Sequence, residues 1–386
     1  MTDEAAAELL AQLVGLPSVN PAFQRAGDDP SWFGEARYSQ WLRDYLLDRG
    51  FEAWLEEVLP GRPNLMARLA GRDGDKRVVL LSHLDTVQVT DMVVPPWGER
   101  RGQRFVGRGS CDTKASMVSF IMAMELLRAT GGTKTDVFLC GTIDEESGCA
   151  GSSWLSSKHK FDACIVGEPT ELRPVVAHKG AVRFELVADG LACHSSTPEL
   201  GHNAILEMLQ LLGEFSEMFG EQTSLHGHPL TGEATWTPTV IRGGSGVNTV
   251  PGECWVVVDR RLVPGEDADS VLDLVDTWME NHRQAGKPWR RGRTLVVDPA
   301  FAVELGAPVV VAVQKALARR GLLSDPAGIA CGTDASKMAA AGIPSLVFGP
   351  GSLKQAHTAD EWVDLGSIRE AASIVADAVH FLDESQ

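Results

Sequence analysis

Cationic side chains are scarce in this chain of 386 residues: 35 against 52 acidic ones, for a formal charge of −17. Such a surface repels DNA, RNA and anionic lipid at long range, which argues against nucleic acid and membranes as partners. Long apolar runs are also missing. The longest candidate, Val118 to Leu127, is interrupted by Glu125 and falls well short of a membrane span. The start, Met1-Thr2-Asp3-Glu4, lacks the positive charge of a secretory signal and leads into an alanine- and leucine-rich stretch that reads as an amphipathic helix. The seven cysteines are odd in number, scattered and never spaced Cys-x-x-Cys. That argues against a disulfide framework or a thiolate zinc site and fits a reducing cytoplasm, where we expect the protein to work. Internal repeats and low-complexity tracts are absent from the sequence.

What is present is enough for two cores, since 44% of the residues are hydrophobic and the chain is long for one domain. From Leu9 to about Ala177, strand-like runs alternate with helical patterns such as Tyr38 to Asp48 and Ala115 to Leu127. That alternation predicts an α/β domain with a mostly parallel sheet. The character then changes. Val182 to Val187 alternates as a half-buried strand, and His202 to Phe219 has helical spacing. Strands at Trp236 to Ile241 and Cys254 to Val258, a helix from Ala268 to His282 and a strand at Leu295 to Val297 follow. The order βαββαβ is ferredoxin-like. We therefore expect a first domain built from 1–179 and 299–386, with a second domain, 180–298, inserted in it. The stretch Gln284 to Arg293 reads as a loop. A helix opening at Pro308 and a strand at Ser345 to Phe348 should complete the first sheet.

Chemistry gathers where apolar runs end. Val78 to Ser82 runs into His83-Leu84-Asp85, a glycine-rich turn into Asp112, Val137 to Cys140 into Asp144-Glu145-Glu146, Ala163 to Val166 into Glu168, and Leu346 to Phe348 towards His357. The carboxyl ends of neighbouring parallel strands share one sheet edge, so these groups can meet in one crevice. Each alone has a plain reading: a hydrogen-bonded histidine, a solvated acidic turn, a turn residue before Pro169. Jointly they supply histidines and carboxylates that zinc accepts. Two divalent ions about 3.5–4 Å apart need a bridging carboxylate, and Asp112, just before a helix, suits that role. Glu145 and Glu146 are adjacent and cannot point the same way, which fits one ligand and one proton acceptor. Asp85 is placed to receive the free ring N–H of His83. Nitrogen and oxygen donors permit zinc and leave cobalt or manganese open.

The stretches Ser82-His83-Leu84-Asp85-Thr86-Val87, Gly107 to Lys114, Asp144-Glu145-Glu146 and Gly167-Glu168-Pro169-Thr170 resemble the ordered signature of the dinuclear-zinc deacylase and carboxypeptidase family. That family includes acetylornithine deacetylase, succinyl-diaminopimelate desuccinylase, aminoacylase and glutamate carboxypeptidase. The resemblance spans nearly the whole chain. It implies two divalent metals: Asp112 as bridge, His83 and Glu168 on one ion, Glu146 and His357 on the other, with Glu145 as general base and acid and Asp85 orienting His83. It implies that the inserted domain is a lid and dimerisation domain, so that the protein is a homodimer. His194 is similar to the family histidine that stabilises the oxyanion. Asn248 and Arg261 resemble the pair that binds the oxyanion region and the substrate carboxylate, while an ordinary ion pair with Asp259 is the plain reading for Arg260 more than for Arg261. Gly332 and Thr333 are further candidate contacts to that carboxylate.

Within the family the closer similarity is to acetylornithine deacetylases, through Val166 to Thr170, Ala177-His178-Lys179-Gly180, Gly349 to Ser352 and Gln355-Ala356-His357. Thr113 and Ala115 depart from the usual methionine and glycine, and Cys331 to Ser336 leans towards the desuccinylase pattern. The resemblance thus implies hydrolysis of an N-acyl L-amino acid, N-acetyl-L-ornithine first, in arginine biosynthesis. Succinyl-diaminopimelate or a peptide is the alternative, and a non-catalytic metal-stabilised binding protein is a third reading.

Overall fold

The computed structural model describes residues 2–384. By internal packing the chain forms two units: Met1–Val176 with Val303–Ala327 and Thr333–Gln386, and Ala177–Ala302 with Gly328–Gly332. The breaks fall at 176/177 and 302/303 where the sequence reading placed 179/180 and 298/299, and a short return segment joins the second unit.

The first unit is a mixed sheet covered by helices. Its strands run in the order Glu52–Leu59, Arg62–Leu69, Asp136–Thr142, Arg77–His83, Ala163–Val166, Ser345–Val347. Arg77–His83 is parallel to both Asp136–Thr142 and Ala163–Val166, and Ser345–Val347 is parallel to the latter. These central strands are buried along their lengths, as a parallel sheet covered on both faces requires. Register decides where the chemistry sits: His83 is opposite Thr142, Leu81 opposite Val166, and Val166 opposite Val347. Four segments therefore leave the sheet along the same edge. The helix Lys114–Ala129 is buried on nearly every side and packs with Leu365–Glu384 and Asp3–Val14 in the main core. Asp3–Val14 is the amphipathic helix expected at the start, with the Thr2 hydroxyl capping the Ala5 amide.

The second unit has its own core. Its sheet order is Thr235–Gly243, Glu253–Leu262, Gly180–Asp189, Trp289–Asp298, every neighbour antiparallel. With the helices Ala204–Ser224 and Ala268–Gln284 after the first and third of these strands in chain order, this is the ferredoxin-like arrangement. Glu253–Leu262 alternates buried and half-buried along its length, so the helices cover one face of the sheet. Asn203 and Asp267 cap the two helices through their side chains. One expectation needs correction: Trp289 to Arg293 is strand, not loop. Trp289 is buried against Trp278 and donates its Nε1 to Glu207 at 3.0 Å. Arg290, Arg291 and Arg293 pair with Asp189, Asp276 and Glu185. Their charge hid the strand.

Candidate metal centre

Strand ends deliver the first unit's polar groups in sequence. His83 closes its strand; its Nε2 lies 3.0 Å from Asp112 Oδ1 and 4.0 Å from Glu168 Oε1. Asp112 comes from the turn just before the helix Lys114–Ala129. Its other oxygen, Oδ2, lies 3.3 Å from His357 Nε2. His357 in turn lies 3.1 Å from Glu146 Oε2. The carboxylate of Asp112 is thus shared between two histidines, one oxygen each. Two sets of donor atoms result, His83 with Asp112 and Glu168, and Asp112 with Glu146 and His357, with the atoms of each set within 4.8 Å of one another. Nitrogen and carboxylate oxygen in this proportion suit zinc, cobalt or manganese.

Electrostatics agrees with a cation site. Burial would lower the His83 pKa, but the hydrogen bond to Asp112 and the nearby carboxylate of Asp85 prevail and raise it well above its ordinary value. Asp112 and Glu146 raise His357 to about 10. Burial raises Glu145 well above the usual carboxylate range, and the nearby charges of Glu168 and Glu146 add to it. Glu168 is raised by burial and by Asp112. Several carboxylates crowd one site, a repulsion that a bound cation would relieve.

Asp85 does something other than expected. His83 Nδ1 is 2.9 Å from the main-chain oxygen of Asp85 and 3.6 Å from its carboxylate. That carboxylate is occupied: it accepts from the amides of Glu145 and Glu146, each at 3.1 Å, and from Asn20 Nδ2 at 2.7 Å. The main chain of Asp85 orients the imidazole, while its side chain positions the Glu145-Glu146 turn. Asp144, in the left-handed region at φ 70, redirects the chain there. Its carboxylate accepts from Asn20 at 3.0 Å and from Arg62 at 3.1 Å, and Arg62 forks onto the buried Glu35 at 2.8 and 2.5 Å.

Sequence reasoning missed Asn20, Glu35 and Arg62, which lie in stretches without a distinguishing signal. It also missed Asp334, fully buried, whose carboxylate accepts from Thr142 Oγ1 at 2.7 Å and from the Ser152 hydroxyl.

The remaining candidates are divided. Thr333, in the first unit, is buried, and its hydroxyl accepts from the Ala335 amide at 3.2 Å. His194, Asn248, Arg261 and Gly332 belong to the second unit. His194 and Asn248 come from adjoining loops, with Ser195 N donating to Asn248 O at 2.9 Å, and both side chains are exposed. The His194 ring receives the Ser196 amide at Nδ1. Arg261 pairs with Asp259 at 2.8 Å, whereas Arg260 is buried against Glu266. Asp259 thus pairs with Arg261 and, at 2.7 Å, with Arg183, and not with Arg260, for which the sequence reading favours that ion pair.

A covered α/β sheet whose strand ends gather two carboxylate and histidine sets around a shared aspartate defines a metal-dependent hydrolase. The chain belongs to peptidase family M20/M25/M40, whose family description matches residues 79–380. It is 28% identical over 366 residues to an acetylornithine deacetylase of Vibrio campbellii, covering 91% of this chain and 93% of that one. Its fold matches the crystal structure of a tripeptidase from Staphylococcus aureus with a TM-score of 0.81 at 19% identity, over 100% of both chains. It also matches a Bacillus subtilis protein described as a dinuclear metal binding peptidase, with a TM-score of 0.72 at 15% identity over 100% of this chain and 99% of that one. Among the described residues no helix is long and apolar enough to cross a membrane.

Proposed function

We propose that this hydrolase cleaves the amide bond of an N-acyl L-amino acid, with N-acetyl-L-ornithine as the leading substrate and ornithine and acetate as products. The observation that carries the amidase chemistry is the division of the Asp112 carboxylate between His83 and His357. The relatives named acetylornithine deacetylase support the choice of substrate. His83, Asp112 and Glu168 would hold one divalent ion and Asp112, Glu146 and His357 a second, zinc in the first instance. Bound there, the ions supply Lewis acidity towards the acyl carbonyl and lower the pKa of water. Glu145, raised by burial and by Glu168, takes the proton of the attacking water and returns it to the leaving amine. His194 donates to the oxyanion, and Asn248 and Arg261, with Gly332 and Thr333, receive the substrate carboxylate.

The alternative keeps the machinery and changes the substrate to succinyl-diaminopimelate or a small peptide. One observation favours it. Asp334, the carboxylate beside Thr333, is sequestered by Thr142 and Ser152 and cannot pair with the cationic side chain of ornithine.

We place the protein in the cytoplasm as a homodimer formed by the second unit. Its edge strand Thr235–Gly243 is exposed along most of its length and pairs on one side only, with Glu253–Leu262. Val240 and Ile241 on that strand, and Ile205, Leu206 and Leu209 on the helix beside it, are exposed. An unpaired apolar edge beside an apolar helix face suits a second copy related by a two-fold axis.

Turnover decides the substrate. Zinc- or cobalt-loaded protein is offered N-acetyl-L-ornithine, succinyl-diaminopimelate and dipeptides side by side, and released amine is measured. Preference for acetylornithine supports the reading and a place in arginine biosynthesis; preference for another compound moves the protein to the alternative.

A further inference from the structure

Two loops carry ligands for the same half of the centre: residues 107–112, ending in Asp112, and residues 349–361, containing His357. Behind them lies a charged pair that the chemistry above does not use. Glu361 is fully buried, and its hydrogen bonds converge on the first loop. Its Oε1 accepts from the amides of Cys111 at 2.8 Å and Asp112 at 3.0 Å. Its Oε2 accepts from the Gly109 amide at 3.1 Å and from Arg108 Nη1 at 2.9 Å. The Glu361 carbonyl accepts from the Gly107 amide at 2.9 Å.

Arg108 is 2% exposed and reaches the other loop through one arm of its fork, the rest being held by the segment 88–91. Nη1 also donates to the carbonyl of Thr358, the residue after His357, at 3.2 Å. Nε donates to Gln88 O at 2.9 Å and Nη2 to Asp91 at 3.1 Å. His357 itself sits in the left-handed region, φ 59, a conformation uncommon for any residue other than glycine. A buried ion pair is costly unless its geometry and remaining hydrogen bonds are satisfied. Here they are, and the recipients are the backbone of one ligand and the neighbour of another.

We propose that Arg108 and Glu361 are positioning residues that preset the Asp112 and His357 loops for metal, before any metal arrives. The inference rests on the metal-centre reading above. It goes beyond that reading by assigning the affinity of the His357 site to a pair that touches neither metal nor substrate. Glu361 fixes the direction in which Asp112 leaves its turn. Arg108 ties that turn to the peptide following His357, so the bridging carboxylate and the second imidazole are held to one geometry. Partners that orient metal ligands from behind typically change affinity about 10- to 100-fold when removed.

The test uses cobalt(II) alone, followed by its visible spectrum, together with amide hydrogen exchange. In Arg108→Lys, which keeps the buried positive charge and loses the fork, the first equivalent should bind as in wild type. The second should bind at least about ten-fold more weakly, with an altered band. In Glu361→Gln, where an amide NH2 faces backbone donors, both equivalents should weaken, because Asp112 serves both. Wild-type protein stripped with chelator should still protect the Gly109, Cys111 and Asp112 amides as well as loaded protein does. Undiminished uptake of two equivalents by both variants overturns the proposal. So does rapid exchange at those amides in stripped wild type, a result that stands even if neither variant folds. Wild type that takes up no second equivalent refutes the dinuclear reading instead, and the exchange experiment still decides whether the pair presets the loops.

Discussion

Lys114 follows Asp112 by two positions yet turns away from the candidate centre. Its ammonium is buried, donating to Leu13 O at 2.9 Å and Leu16 O at 2.7 Å, 4.8 Å from the centroid of the Tyr38 ring. Burial depresses its pKa from 10.5 to about 7. The unfolded chain therefore binds a proton that the folded chain has already released between those values, so this lysine makes stability rise with pH from about 7 to about 10. Below about pH 7 the folded state carries the full cost of the buried charge. Lys114→Met should remove that slope: denaturant midpoints for wild type and variant, compared at pH 6.5 and 9.5, should diverge in favour of wild type at the higher pH. A constant difference would show that the charge is not desolvated. Glu145 calls for a different measurement. Because it stands outside both ligand sets, Glu145→Gln should lower kcat by at least about a hundredfold, the scale of general acid and base catalysis. Metal content by atomic absorption should stay at the wild-type value. Loss of metal together with activity would make it a ligand.

At the level of elements, the site depends on how each strand end is turned and held. The Glu145-Glu146 turn hangs from Asp85 and Asp144, and Asp144 from Arg62, whose other partner is Glu35. Arg62→Met leaves the fully buried Glu35 without its cation and Asp144 with Asn20 alone, and should cost about 3–5 kcal/mol in urea unfolding. Glu35→Gln in the same chain should recover part of that loss, since the remaining carboxylate is then Asp144 alone. If the double variant is as unstable as the sum of the single ones, the three do not act as a network. This dependence also explains what the sequence reveals. Apolar runs ending in His83, Glu145-Glu146 and Glu168 announce a parallel sheet and its candidate functional edge, because the buried strands and the polar groups gathered at their ends both leave a mark on residue type. Supports such as Asn20, Glu35 and Arg62 leave none. They are polar residues in surface-like stretches, buried only because distant segments fold over them. The strand Trp289–Asp298 was hidden for a related reason: it is an edge strand with bulges, and its arginines are neutralised by partners on other elements.

On the scale of the whole molecule, the chain has two units with separate cores. Both candidate ligand sets lie within the first, so saturating zinc should stabilise that unit specifically, by about 2.7 kcal/mol at a hundred times the dissociation constant. Calorimetry with and without chelator should move the transition of the first unit; equal movement of a separate second transition would place metal elsewhere. The second unit offers association instead. Ile241 is 56% and Leu209 60% exposed, and Ile205 packs beside Gly243 at the end of the edge strand, so strand and helix form one apolar border. A two-fold axis through that border would pair the strand with its own copy in antiparallel register and cover both helices, which closes the assembly at two. A charge in the middle of the border has no partner in such a dimer, only its own symmetry mate of the same sign. Ile241→Lys should therefore convert the protein from twice the chain mass to the chain mass in sedimentation equilibrium, with its circular dichroism unchanged because the position is exposed in the isolated chain. A variant that still sediments at twice the chain mass would show that the copies meet through another surface.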